Sequence, residues 1–488
     1  MKKYQIIFLL VFCFICNSMY SQNKFIFKYA TIEDEYPNDI IETADGGFII
    51  AASIGTYPSP YRPLFIRLNS MGDTICTKCI VVENANCYIN HFIKMDNGYI
   101  LGVGEKKVGS NNTKIWLVTL DDFLTVIHDT SFATNLSFCY EVFSFLDHFH
   151  NLIIYGAACV TNQSPDPHPF VFKLSQTYDS LFFHYYSNPY GQYVYSMMEN
   201  FDNTGYYMSN YGWMTSPEYT PSQFLTYNNL FNIISMDSVP DKLDLYMNMK
   251  KINSTQFLIS GKRHLLNSNP RTDKVGVLKL DSSFNVNAKC YLGPEDTVTY
   301  PGYNTNLSFI NVSDIFLGGT INQDWSELFS SSHSYILLGK LDSTLNIKWQ
   351  KEYGGDTYYM VWSVSATTDG GCIVGASTND YALQGEQRDI YILKVDSNGL
   401  VTGQNDLPPI KSYDAIVYPN PGSDKICVET QLRNAVFTLY DLTGRELLQS
   451  DLVPGRSSIP VQNLPSGMYI YNVMQNAEIK GCGKWKKE

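Results

Sequence analysis

The sequence predicts an all-β chain on three observations. Strand-like segments recur seven times, the turns between them have hairpin chemistry, and no helical periodicity of useful length appears. The recurring unit is an apolar strand ending near Ala or Gly, a variable loop, and a second apolar strand with one polar residue before its last apolar position. That second strand ends at Leu68, Leu120, Leu174, Tyr227, Leu280, Leu341 and Val395, giving spacings of 52, 54, 53, 53, 61 and 54 residues. The polar residue is Arg67, Thr119, Lys173, Thr226, Lys279, Lys340 and Lys394 in turn.

Each unit is expected to hold four short strands, as in Ile40–Ala44, Phe48–Ser53, Leu64–Leu68 and Thr74–Ile80 of the first. Asp45-Gly46-Gly47, Asp96-Asn97-Gly98 and Asp369-Gly370-Gly371 would join first to second strands, because they tolerate the positive φ of tight hairpins. Asn69-Ser70-Met71-Gly72, Asp281-Ser282-Ser283 and Asp342-Ser343-Thr344 supply turn residues between third and fourth strands. Seven such units predict a seven-bladed β-propeller over residues 22–402, followed by a small C-terminal β-sandwich. A β-helix is the alternative, disfavoured by its usually shorter rungs. The segment Phe25–Tyr29 has the character of a fourth strand but precedes any first one. It is expected to complete blade seven, so that no edge stays open.

Both turn classes fall on one rim. The opposite rim receives long irregular connections around residues 57–61, 164–169, 213–221, 263–271, 324–325 and 380–388, and function is expected there. The aromatic residues Tyr57, Tyr61, Trp213, Tyr219, Trp325 and Tyr381 lie in these loops. Large rigid side chains lose little entropy on contact, which makes these six the candidate ligand-binding residues.

The N-terminus carries Lys2 and Lys3, an apolar run from Ile6 to Ile15, and then Asn17, Ser18 and Ser21. This is the layout of a signal peptide over residues 1–21. Lipidation at Cys16 is the lesser alternative, since Ile15 stands where a small residue is wanted. No later stretch reaches the ~18 apolar residues of a spanning helix, so no membrane span is expected in the mature protein. A net charge of −12 without a Lys/Arg cluster before the extreme C-terminus argues against a nucleic-acid partner. The 36 Tyr and 27 Phe suit strands, and equally surfaces that bind sugars or peptides.

Cys13 and Cys16 leave with the signal, and the odd number remaining shows no framework spacing. Cys76, Cys79, Cys87 and His91 could hold zinc, but a local disulfide with spare thiols is the favoured reading for an exported chain. No metal and no cofactor is expected.

After a polar linker at 403–411, residues 412–488 change pattern. Tyr418-Pro419-Asn420-Pro421 comes first, then a strand ending Tyr440-Asp441 with Gly444 in the turn, then Gly467-Met468-Tyr469. In this order the three motifs resemble the type A C-terminal sorting domain of type IX secretion substrates. The resemblance implies passage across the outer membrane of a Bacteroidota bacterium with the type IX machinery as partner. It further implies removal of the domain and either attachment at the surface or release. The final strand departs from the family pattern: it is rich in Lys and Gly, where the family has an apolar strand.

Signatures of hydrolases, phosphate binding and dinucleotide binding are missing. The histidines are scattered singly, with His168 and His264 placed in loops and His148 and His150 in a hairpin turn. Thr43-x-Asp45-x-Gly47 and Thr367-x-Asp369-x-Gly371 resemble truncated Asp-box turns of sialidase-like propellers, though hairpin geometry accounts for them. A sialidase would need converging arginines, for which Arg62, Arg263, Arg271 and Arg388 are the loop candidates. Glu218, Asp324, Glu327 and Asp380 are candidates for the paired carboxylates of a glycan-cleaving enzyme. Asp followed by Thr74, Ser180, Ser238 or Thr297 and an aliphatic residue looks like the short O-glycosylation site of such bacteria. The functional expectation is an exported binding or adhesion module for glycans or proteins. The alternatives are a glycan-cleaving hydrolase or lyase on the same scaffold, and a structural surface protein.

Overall fold

The computed structural model describes residues 23–56, 59–109, 112–160, 167–186, 192–212, 222–237, 243–265, 272–323, 333–380, 387–401, 415–418, 420–430, 432–476 and 478–487. Strands such as Phe48–Gly55 are apolar without alternation because both of their faces are covered. Ile49 and Ala51 pack into the core shared with blade two, while Ile50 and Ala52 pack into the core shared with blade seven. The same device repeats around the first of two compact units, Met1–Gly403 and Gln404–Glu488.

That first unit holds seven antiparallel sheets, and no helix occurs among the described residues. Blade one runs Asp34–Glu42, Phe48–Gly55, Arg62–Leu68 and Thr74–Cys79 from inside to outside. Separate apolar clusters join blades one to two, two to three, three to four, four to five and five to six. Ile40 and Phe48 share a further cluster with Ile373, Ile390 and Ile392 of blade seven, which closes the ring. Closure also uses the chain start. Phe25–Tyr29 pairs antiparallel with Asp389–Val395 as the outermost strand of blade seven. Lys24 and Lys28 add ion pairs to Asp396 at 3.1 Å and Asp389 at 2.9 Å. The architecture is the predicted seven-bladed propeller.

The innermost strand of blade one begins at Asp34, six residues before the sequence-based start, because Asp34 and Asn38 are buried with partners in other blades and Glu35 with Thr31 just before it. Six innermost strands carry a one-residue bulge, at Asn38, Asn90, Tyr140, Tyr195, Met247 and Trp362. Bulges of this kind re-aim a side chain without ending the strand. Blade six enlarges the interruption. Thr299–Pro301 and Leu307–Ser308 both pair with Ile315–Ile321; between them Gly302 and Asn306 still bond Gly318, and residues 303–305 loop out. Asn304 N donates to the Trp362 carbonyl and its Nδ2 to the Asn38 carbonyl, each at 2.8 Å. Asn306 N donates to Asn248 Oδ1 at 2.6 Å, so this segment ties blades five, six, seven and one.

The recurrent polar residue of the third strand is a buried partner for the first hairpin. Arg67 pairs with Asp45 at 2.7 Å, Lys173 with Asp147 at 2.8 Å, Lys340 with Asp314 at 3.1 Å and Lys394 with Asp369 at 2.8 Å. Blade five has Asn253 in that turn, and its Lys279 donates instead to the Ser343 carbonyl at 3.1 Å. Two placements differ from the sequence-based reading. Arg263 and His264 belong to the strand Gln256–Leu265, and buried His168 opens the strand His168–Leu174; none of them sits in a loop.

The second unit is a sandwich of two sheets. Ala415–Tyr418, Lys425–Thr430 and Gly455–Pro460 form one, and Ala435–Tyr440, Glu446–Leu452, Gly467–Gln475 and Glu478–Lys487 form the other. Ile426, Val428 and Ile459 meet Phe437, Leu439, Val473 and Trp485 between them. Fully buried Trp485 explains how a Lys- and Gly-rich last strand still joins the core.

Candidate functional site

The looped rim of the propeller brings charged and aromatic residues together where blades seven and one meet. Asp34 stands at the rim end of its strand, and Arg388 lies just before the third strand of blade seven. Arg388 donates from Nε to Asp34 Oδ1 at 2.9 Å and from Nη2 to Oδ2 at 2.6 Å, and its backbone N adds a third bond at 2.8 Å. The Tyr61 hydroxyl donates to Asp34 Oδ2 at 2.8 Å. Both charges are buried, and this fork of charge-assisted bonds is what makes their burial tolerable. The guanidinium carbon sits 4.3 Å from the Tyr36 ring centre and 5.6 Å from Trp362.

From this pair an unbroken run of rings extends across four blades. Tyr88 of blade two lies 5.9 Å from Tyr61, which lies 6.1 Å from Tyr36. Tyr36 stacks on Trp362 at 4.8 Å, and Trp362 lies 5.3 Å from Tyr303 of blade six. All five rings are half-buried. Trp362 is itself a bulge residue, anchored by its Nε1 donating to Ser377 Oγ at 2.9 Å.

Polar groups flank both ends. Glu105 lies directly opposite Tyr88 in the strand register, is 7 % exposed, and leaves its Oε2 without a hydrogen-bond partner among the described residues. Burial pushes its carboxyl up to about 7, against the opposing pull of bonds to Cys139 and the Lys107 charge. Burial foremost, with Glu105 among the neighbouring groups, also raises the phenols of Tyr36 and Tyr88. At the other end Gln323 donates from Nε2 to the Tyr303 hydroxyl at 3.1 Å, while its Oε1 has no partner among the described residues.

Of the six loop aromatics expected from sequence, Tyr61 is placed at this site. Tyr57, Trp213, Tyr219, Trp325 and Tyr381 lie outside the described residues, as do Glu218, Asp324, Glu327 and Arg271. The other three candidate arginines do not converge. Arg62 forks onto Glu33, Arg388 onto Asp34, and Arg263 lies 3.9 Å from Asp244. Thr43 and Thr367 each donate to the aspartate of their own hairpin, Asp45 and Asp369, which closes turns on the opposite rim. The expected local disulfide is corrected: Cys76 and Cys79 are free thiols three residues apart on one strand, hence on opposite faces, and Cys87 is buried in the next blade. His91 contacts Ser144 Oγ at 3.0 Å and Asp39 at 3.8 Å, so the zinc arrangement is not assembled by these side chains. Tyr36, Tyr88 and Trp362 were missed because they stand on innermost strands and not in the long loops, and Tyr303 because it lies in the interruption of blade six. For Trp362 the available signal was an aromatic residue at the bulge position of the repeat.

In the C-terminal unit the three motifs are three local devices. Tyr418 donates to Glu429 Oε2 at 3.0 Å, and Asn420 bonds the last strand through both ends of its amide. Asp441 accepts from Thr443 N and Arg445 N at 2.9 and 3.0 Å, with Gly444 at φ +85° completing the turn. Tyr440 accepts from Asn472 Nδ2 at 3.3 Å. Gly467 begins the strand in which Tyr469 packs 6.0 Å from Trp485. Pro421 follows Asn420 through a cis bond, and Pro419 lies outside the described residues.

Residues 416–485 match the secretion system C-terminal sorting domain family. The chain carries a type IX sorting tail. The sorting tail indicates export to the cell surface or the extracellular space. No helix among the described residues is long and apolar enough to cross a membrane. No curated protein matches the chain in sequence. Among solved structures it is similar to a polysaccharide lyase, the PL25 ulvan lyase, at 8 % identity and TM-score 0.47, covering 78 % of this chain and 98 % of that one. An α-L-arabinanase of Penicillium chrysogenum complexed with arabinobiose gives 12 % and 0.40, with 77 % and 98 % covered. A puromycin hydrolase gives 10 % and 0.47; 90 % of this chain is covered, but only 58 % of the hydrolase.

Proposed function

We propose that the propeller is a binding module displayed or released outside the cell, which engages glycans or proteins through its looped rim. The observation that supports this reading is the half-buried ring run Tyr88–Tyr61–Tyr36–Trp362–Tyr303. Aromatic rings held by neighbours offer large contact area at small entropic cost, and the rim of a propeller is concave. Export as an unprocessed chain with a signal peptide at 1–21, a propeller at 22–402, a linker at 403–411 and a sorting domain at 412–488 belongs to the same proposal.

A glycan-cleaving enzyme is the second reading, favoured by Glu105, whose carboxyl at about 7 suits a general acid. A glycan and protein array combined with a hydrolysis screen on the purified protein separates the two. Retention of a ligand without product supports the binding module. Product formation that vanishes in Glu105→Gln supports the enzyme, and silence in both assays leaves a structural surface protein.

A further inference from the structure

We infer that the ring run takes an uncharged saccharide, laid across blades two, one, seven and six between the unpartnered oxygens of Glu105 and Gln323. This deepens the binding-module reading and rests on it.

Charge is the first argument. An acidic sugar needs free guanidinium or ammonium groups, and both described arginines beside the rings are already consumed. Arg388 is forked onto Asp34 and Arg62 onto Glu33. Neither can leave without stranding a buried or half-buried carboxylate. Of the nearby lysines, Lys106 lies over the Trp116 ring at 5.7 Å and Lys107 over Phe138 at 4.6 Å, and Lys262 at the other end over Tyr300 at 5.7 Å. A uronate approaching Tyr88 would meet the Glu105 carboxyl, another acid at the same place and no cation.

Hydrogen bonding is the second argument. Glu105 Oε2 at one end of the run and Gln323 Oε1 at the other are buried acceptors with no partner among the described residues, and a ligand O–H meets them where the carboxyl and the amide turn toward the rings. A buried acceptor left unpaired is costly, and a neutral O–H donor removes that cost. Flat rings between two acceptors match a molecule whose faces are C–H and whose edges are O–H. A pyranose has that form. An extended peptide presents alternating side chains and asks for separate pockets.

The test is calorimetric titration of the purified protein with neutral oligosaccharides (gluco-, manno- and xylo-configured) and with oligogalacturonate and oligoalginate. The expected result is binding of a neutral sugar with affinity unchanged between about 50 and 500 mM NaCl, since no ion pair is made. Trp362→Ala and Tyr303→Ala should each weaken it about tenfold or more. Trp362→Phe, which keeps a ring against Tyr36, should retain it within about threefold and show that the fold is intact. Binding of uronates alone, or neutral binding indifferent to both alanine variants, overturns this inference while leaving a binding module. Failure of every sugar removes the glycan-binding reading itself.

Discussion

The side-chain amide of Asn420 pairs with the backbone on both sides of Trp485: Nδ2 donates to the Lys484 carbonyl at 2.8 Å and Oδ1 accepts from Lys486 N at 2.9 Å. Gly422 N donates to the Lys486 carbonyl at 2.9 Å, so the turn after the YPNP motif acts as a short extra strand on the last one. Asn420→Ala should remove two bonds of about 1 kcal/mol each. Amide exchange at residues 484–487 should then accelerate, and less protein should reach the medium or surface. Asn420→Asp loses the donor alone and should fall between. Deleting 412–488 should abolish export altogether; a truncated chain found outside the cell would refute the sorting role.

Glu105 predicts a descending limb in the stability profile. Its carboxyl stands at about 7 when folded, against an ordinary 4.5, because burial disfavours the charge. Between those values the unfolded chain binds fewer protons at this site, so stability falls as pH rises toward 7. The full drop is roughly 3 kcal/mol, at about 1.4 kcal/mol per pH step. Denaturant titrations of Glu105→Gln from pH 4 to 8 should lack this component. Lys107, Cys139, Tyr36 and Tyr88 surround the group, and Lys107→Gln should move the limb to higher pH. A profile in which wild type and Glu105→Gln run parallel would contradict the assignment.

Lys394 is almost wholly buried against Asp369. Burial works against the Asp369 charge, but the Lys394 bonds and the Thr367 hydroxyl hold its carboxyl below the usual range. Lys394→Ala should therefore cost about 3 kcal/mol in urea unfolding, as expected when one member of a buried pair is removed. The double variant Lys394→Met with Asp369→Leu should cost clearly less. Additive losses would mean that the two residues act independently.

O-glycosylation should discriminate among the short motifs. Ser180 is exposed at the start of an outermost strand, whereas Thr297 is half-buried with its hydroxyl donating to the Pro294 carbonyl at 3.0 Å. Intact-mass and peptide mapping of protein from the native host should find sugar at Ser180 before Thr297. A bare polypeptide mass would dispose of both.

Legibility followed chain locality. The hairpin turns, the seven third strands and the closing Phe25–Tyr29 segment were readable because each is a local pattern with a fixed period. The innermost strands were half hidden, since Asp34 and Asn38 are polar and find their partners in other blades, while Glu35 is capped by Thr31. The recurrent Lys or Arg was visible, while its purpose was not, because Lys394 and Asp369 are 25 residues apart. The candidate site was least legible. Trp362 and Tyr303 look like ordinary strand aromatics, and only ring closure sets them beside Tyr36.

The 302–306 segment gives the disk a clasp. With Asn304 held by Trp362 and Asn38, and Asn306 by Asn248, the inner edges of blades five, six, seven and one are laced together. A saccharide laid along the ring run over this arc rests as a rope rests on a pulley, with both tails free. Chain ends then become irrelevant to recognition: an internal stretch of a long strand, or one still attached to a wall, is as good a target as a released fragment.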